Sequence, residues 1–322
     1  MADKKIIAVC GATGAQGGGL ADAILADPDG GFALRAITRD PSRDRAKALA
    51  DRGAEVVAGD QDDLASLKEA FAGAYGVYGV TAFWDYFSTP REKSQAKNIA
   101  DAARHAGAQH VIWSTLEDTR EYMAPDDKRM PILQGSYRVP HMDGKAEANA
   151  YFEGLPITFL VTTFYWTNFY SVGLGPKKSA DGGYDWTLPL GDEKVVGIAV
   201  EDIGRVAYGI FKAGREYVGK TVGIFGESLT MAEMAEKLSK GTGLGPIRYH
   251  AVEPDEFRSP NMKETDEMGN MFQVFRDFHP QFKAKRSDEV ARKLNPKMQT
   301  FDAWVANHRD ELIAAMNAAP AW

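Results

Sequence analysis

The chain has 322 residues, 44% hydrophobic and 26% charged, with a formal net charge of −7. That is enough material for one large domain or two intimate ones around a buried core, and the acidic balance speaks against nucleic acid or an anionic membrane as the main partner. A single cysteine, Cys10, excludes an internal disulfide and points to a reducing, cytoplasmic setting.

The opening residues lead into a short apolar run that breaks at Gly11, which reads as a strand entering a turn and not as a signal peptide. No stretch approaches the ~20 apolar residues that a membrane span needs. Residues 6–10 are continuous and β-branched, as in a strand buried on both faces. A helical pattern follows to about residue 26, then a strand over 32–38 and a charged helix over 44–51. A strand over 55–58, a short helix over 64–71 and a strand over 76–80 come next. Ser88-Thr89-Pro90 opens a helix reaching about residue 106, with proline at an early position where its missing N–H costs little. A fifth strand is expected over 110–114, a helix over 143–152 and a sixth strand over 157–162.

Strands alternating with helices at this spacing predict a doubly wound parallel sheet with helices on both faces. Residues 116–140 lack periodicity and carry Arg120, Asp126, Asp127, Lys128 and Arg129, so the middle of this loop is expected in solvent. Glu117 and Asp118 read the same way. Beyond residue 165 the chain turns aromatic and turn-rich, with helices near 201–213, 230–240 and 266–278. The expected division is a Rossmann domain over 1–164 and a smaller C-terminal α/β lobe over 165–322, the chain crossing between them more than once.

The chemistry concentrates at Gly11-Ala12-Thr13-Gly14-Ala15-Gln16-Gly17, between the first strand and the first helix. In a dinucleotide site the first glycine permits the tight turn and the second lets backbone N–H groups approach the pyrophosphate. The third allows close helix packing, and the helix N-terminus favours the anion. An acidic residue at the end of the second strand would hold the ribose of NAD, whereas arginine suits the 2′-phosphate of NADP. Here Arg39 comes first and Arg43 follows, and their guanidinium forks fit phosphate oxygens. Asp40 leaves a plain ribose open. Asp60-Gln61 ends the third strand, where it flanks the adenine or caps a helix. The six histidines show no metal spacing, so no metal is expected. Met268, Met271, Phe272 and Phe275 form a stripe at helical spacing and read as core.

With these residues placed, the sequence resembles the NmrA-like family, an atypical branch of the short-chain dehydrogenase/reductase superfamily, over nearly its whole length. The motifs are Gly-Ala-Thr-Gly-Ala-Gln-Gly-Gly (11–18), Thr-Arg-Asp-Pro (38–41), Gly-Asp-Gln-Asp-Asp (59–63), His-Met-Asp-Gly-Lys (141–145) and Leu-Asn-Pro-Lys (294–297). It looks closest to the subgroup described as NADPH sensors. The resemblance implies that residues 11–16 hold the pyrophosphate of NADP(H) and that Arg39 to Arg43 hold the 2′-phosphate. It sets Asp60-Gln61 beside the adenine and Thr81-Ala82-Phe83 along the nucleotide. Lys145 would hold the nicotinamide ribose, and Tyr165-Trp166-Thr167-Asn168 would close over the nicotinamide. Reductases of the superfamily use a Tyr-x-x-x-Lys pair, but here His141 stands four before Lys145. With an ordinary pKa near 6.5, histidine is a candidate acid, and it also reads as a packed, hydrogen-bonded residue. The expectation is a cofactor-state sensor or regulator with weak or no dehydrogenase activity. The alternative is an NADPH-dependent reductase of a small carbonyl or quinone, and a protein partner and a homodimer both stay open.

Overall fold

A computed structural model describes residues 4–258 and 263–318; the first three residues of the opening stretch lie outside it. β1 (Lys5–Cys10) ends in four consecutive buried residues, because it is central and covered on both faces. It pairs in parallel with β2 (Phe32–Thr38) and β4 (Gly76–Gly79). β2 continues to β3 (Glu55–Ala58), and β4 to β5 (His110–Thr115), β6 (Ile157–Val161) and β7 (Thr221–Gly223). Among the described residues the large sheet therefore runs β7–β6–β5–β4–β1–β2–β3, parallel throughout. The order reverses between β1 and β4. Crossovers leave on opposite faces there, and a crevice opens beyond the carboxyl ends of the strands.

α1 (Ala15–Leu25) follows β1, and α2 (Asp44–Asp51) follows β2. α3 (Leu64–Ala70), α4 (Thr89–His105) and α5 (Pro140–Ala148) cover one face over Phe71, Ile99, Trp113 and Phe152. The Ser88 hydroxyl caps α4 by accepting from the N–H of Arg91. α5 starts at Pro140, earlier than the periodicity suggested, and closes in a 3-10 turn at Asn149–Phe152. Proline suits a first helical turn, and residues 141–145 are all buried although they mix polar and apolar types, so no amphipathic pattern marks the helix start. On the opposite face α1 packs against α6 (Val200–Lys212) over Leu20, Ile24, Ile203 and Phe211.

α6 and β7 thus return to the large sheet from beyond residue 165. The remaining C-terminal chain builds two three-stranded sheets. Lys194–Ile198 lies between Phe164–Tyr165 and Glu227–Thr230, and Tyr184–Leu188 between Lys177–Lys178 and Ile247–Ala251. With α7 (Met231–Thr242) and α8 (Lys263–Asp277) these enclose a second core rich in aromatics, including Trp166, Phe169, Trp186, Phe272 and Trp304.

The middle of the loop over 116–140 is exposed at Asp126, Lys128 and Arg129, as expected, but the loop is tied down on either side. It holds one 3-10 turn, Thr119–Tyr122, and Met130 and Arg138 are buried. The Arg138 guanidinium donates to the carbonyls of Met130 and Asp127, which fixes the loop from inside. Glu117 is also buried: both its oxygens accept from Arg286 at 2.7 Å in a two-pronged pair. That pairing joins positions 169 residues apart, so the local run of charges gave no sign of it. Asp126 is exposed, as expected.

Candidate functional site

A cleft of about 860 Å³ lies over the carboxyl ends of the central strands, between the large sheet and the second lobe. Its floor is the turn from β1 into α1. Gly11 has φ 65°, a conformation that side chains disfavour. A Cβ on Gly17 would stand 2.3 Å from the Gly11 carbonyl oxygen, so both positions need glycine. Gly14 N–H donates back to Gly11 at 2.8 Å and Gly14 caps α1 without a side chain, which leaves a bare helix N-terminus on the cleft. Cys10 lies beneath, and burial pushes its thiol up to about 12.

Thr13, Ala15 and Gln16 line the cleft with the glycines, while Ala12 is buried behind them. The Gln16 side chain turns inward. Its carbonyl accepts from the hydroxyls of Tyr78 and Ser114, each at 2.7 Å, and its amide donates to the Tyr165 hydroxyl. Burial raises the pKa of both tyrosines. Ser114, at the end of β5, is thereby committed to a structural bond. Thr115 is too, since its hydroxyl donates to Asn149 Oδ1 at 2.8 Å.

At the end of β2, Arg39 is 61% exposed and donates to the Tyr86 hydroxyl at 2.6 Å. The Asp40 carboxylate accepts from the N–H and hydroxyl of Ser42, which holds its pKa below the usual range. Asp40 thus closes its own turn. Beside it a recess is lined by Thr13, Thr38, Ser42, Arg43 and Arg45. Asp60 and Gln61 line the cleft next to this end, and Gln61 donates to the Val80 carbonyl at 2.9 Å, tying β3 to β4.

Thr81, Ala82 and Phe83 continue the wall, and Lys145 of α5 reaches across to it. Lys145 Nζ lies 2.7 Å from the Thr81 hydroxyl and 2.7 Å from Glu92 Oε1, and that hydroxyl donates to the same oxygen at 2.8 Å. Glu92 is buried, with Oε2 unpartnered. One turn before Lys145, the backbone N–H of His141 donates to Glu267 Oε1 at 2.9 Å, and its Nδ1 lies 2.5 Å from the same oxygen. The ring rests against Trp84 and Phe83, with centroids 5.0 and 5.9 Å away.

Beyond His141 the cleft turns apolar. Met268, Met271 and Phe275 of α8 face Met142, Phe164 and Leu174. The stripe read as core is therefore both core and cleft wall. Tyr165 and Asn168 line this end, but Trp166 and Thr167 do not. Trp166 packs into the second core against Phe301 and Trp304, because residues at alternate positions of this extended stretch point to opposite sides. Among the described residues no cluster of His, Cys, Asp and Glu could hold a metal, and no helix is long and apolar enough to cross a membrane.

Glu92 and Glu267 escaped the sequence reading, yet each carried a signal. Glu92 shares a face with Ala96, Ile99 and Ala103, and Glu267 with Met271 and Val274. A carboxylate on a buried helical stripe requires a partner.

Comparison with known proteins agrees with this architecture. An NmrA-like family domain-containing oxidoreductase of Penicillium ochrochloron is 27% identical, the match covering 94% of this chain and 97% of that protein. Among solved structures, NmrA, a negative transcriptional regulator crystallised with NADP, has a TM-score of 0.76 at 24% identity, over 94% of this chain and 95% of NmrA. The Citrobacter sp. triphenylmethane reductase complexed with NADP(H) has a TM-score of 0.71 at 21% identity, over 95% and 99%. The model of the NmrA-like family matches residues 3–305, and the chain belongs to that family.

Proposed function

We propose that the cleft binds NADP(H) and that the chain uses it to reduce an apolar compound. The glycine turn is a cradle that a Cβ would fill, and a helix N-terminus above it suits the pyrophosphate. Arg39, Arg43 and the neighbouring recess supply cationic donors for a 2′-phosphate, while Asp40 is engaged by Ser42. Asp60 and Gln61 would flank the adenine and Lys145 the nicotinamide ribose, with Tyr165 and Asn168 at the nicotinamide. Proteins of the same fold have been crystallised with NAD and with NADP or NADP(H), which supports a nicotinamide dinucleotide in this cleft. Bound NADPH would supply a hydride to a substrate seated beyond it.

The observation that carries the reductase reading is the apolar pocket past His141, walled by Met268, Met271 and Phe275. A protein that only reported cofactor occupancy would have no need to keep that space open. The sensor reading draws on a different observation. Asp143 of α5 accepts from Thr119 and from the N–H groups of Arg138 and Val139, so the helix carrying Lys145 also holds the surface loop over 116–140. Incubation with NADPH and a panel of quinones and aldehydes separates the two. Loss of the reduced nicotinamide absorbance above the protein-free rate supports the reductase. Tight NADPH binding without any consumption supports the sensor.

A further inference from the structure

The reductase reading needs a proton donor, and the tyrosine that usually precedes the lysine is replaced by His141. We infer that Glu267, reaching in from α8 of the second lobe, positions the His141 ring so that Nε2 delivers the proton, and that the substrate is uncharged and apolar with a carbonyl oxygen to accept it. The inference rests on the reductase reading for its chemistry and on geometry for its residues.

Glu267 Oε1 lies 2.5 Å from Nδ1 and also accepts from the backbone N–H of the same residue. One carboxylate oxygen thus holds both the backbone N–H and the ring Nδ1 of the same residue, which fixes ring orientation as well as tautomer. A neutral ring held this way carries its proton on Nδ1. When charged, it carries a second on Nε2, the nitrogen left to face a ligand in the cleft. Taking up hydride leaves the substrate carbon reduced and its oxygen anionic. The Nε2–H bond then breaks, the O–H bond forms, and the ring returns to neutral with Nδ1–H still on Glu267. Water resupplies Nε2. The phenol on this side of the cleft, Tyr165, already accepts from the Gln16 amide in a buried network, so its position serves that network.

The substrate class follows from the wall. Among the described residues, the charged side chains lining the cleft are Arg39, Asp40, Arg43, Asp60 and Asp85 at the nucleotide end, and Lys145 beside Glu92. Beyond His141 the wall carries thioethers, aromatic rings and aliphatic chains, with Asn168, Thr162 and Thr163 as its polar members. A charged substrate would be desolvated there without a partner.

A purely structural role for Glu267 is also defined: the carboxylate caps the N-terminal turn of α5 from outside. The experiment must separate capping from positioning. Long-range proton–nitrogen NMR of the cofactor-free protein, with His141 assigned through His141→Asn, reads the tautomer directly. The expected result is Nδ1–H in wild type and in Glu267→Gln, which keeps an acceptor, and a shift toward Nε2–H in Glu267→Ala. An unchanged tautomer in Glu267→Ala overturns the positioning role. Turnover of NADPH with menadione should fall about a hundredfold in His141→Ala and roughly tenfold or more in Glu267→Ala. Glu267→Gln should recover much of that loss. An anionic naphthoquinone sulfonate should show kcat/KM about tenfold or more below that of menadione. Full activity in His141→Ala or equal use of the sulfonate overturns the inference. If wild type binds NADPH by calorimetry yet consumes none with any quinone, the reductase reading fails, while the tautomer spectra still decide the Glu267–His141 pairing.

Discussion

Lys145 and Glu92 form a buried ion pair, Nζ to Oε1 at 2.7 Å, in which the second carboxylate oxygen has no partner. Such a pair is a weak source of net stability, but removing one member leaves a charge stranded. Lys145→Met should therefore cost about 3–5 kcal/mol. Glu92→Gln should cost less, since the amide keeps a bond to Thr81 and the lysine keeps its contact with the Thr81 hydroxyl at 2.7 Å. The double variant should recover much of the Lys145→Met loss, and denaturant midpoints of the four proteins check this. Additive costs would mean that the two residues act independently.

Asp143 anchors the loop over 116–140. Its oxygens accept from the Thr119 N–H at 2.8 Å and hydroxyl at 2.6 Å, and from the N–H groups of Arg138 and Val139 at 2.8 and 3.1 Å. Burial raises its pKa, partly offset by these bonds. Asp143→Ala removes four acceptor contacts at once and should raise amide exchange across 116–140 well above that across 226–245. NADPH should restore part of the protection, because Lys145 lies on the same helix. Uniform exchange in wild type and variant would show that Arg138 holds the loop alone.

His110, at the start of β5, is buried against Phe211 and shares a hydrogen bond with the Thr158 hydroxyl at 2.9 Å. Burial, and secondarily Arg215, lowers its pKa to about 4 from an ordinary 6.5. The unfolded chain therefore binds this proton first as pH falls. Stability is fully present above about pH 6.5 and declines through the window down to about pH 4, by roughly 3 kcal/mol in total. Thermal melts of wild type and His110→Gln across that window should diverge at the upper end and converge at the lower. Parallel profiles would remove His110 as the cause.

The Rossmann half was legible because its signals are local: a β-branched strand, a glycine turn, an arginine seven residues into the next strand region and a Ser-x-Pro helix start. Local signals also carried the aromatic stretch after residue 163, but not its facing, and Trp166 packs away from the cleft that Tyr165 lines. What the sequence hid are pairings over long separations. Glu117 meets Arg286, His141 meets Glu267 and Glu92 meets Lys145. Each acid is buried once a distant segment is laid against it; for Glu92 and Glu267 the helical stripe they occupy betrays the fact, whereas Glu117 lies in a loop and carries no such sign. The helix near 201–213 was legible, as α6 shows, but its packing on α1 and the place of β7 in the large sheet were not, since both are set by tertiary packing.

The proposed function requires NADP(H) in this cleft with the 2′-phosphate on Arg39 and Arg43. Titration calorimetry of wild type and Arg39→Ala with NADPH and NADH measures it. The wild type should bind NADPH about tenfold or more tighter than NADH, as a charge-assisted contact of roughly 1.5–3 kcal/mol gives. Arg39→Ala should lose most of that preference while its affinity for NADH stays nearly unchanged. Equal affinities in the wild type, or a preference untouched by Arg39→Ala, would contradict it.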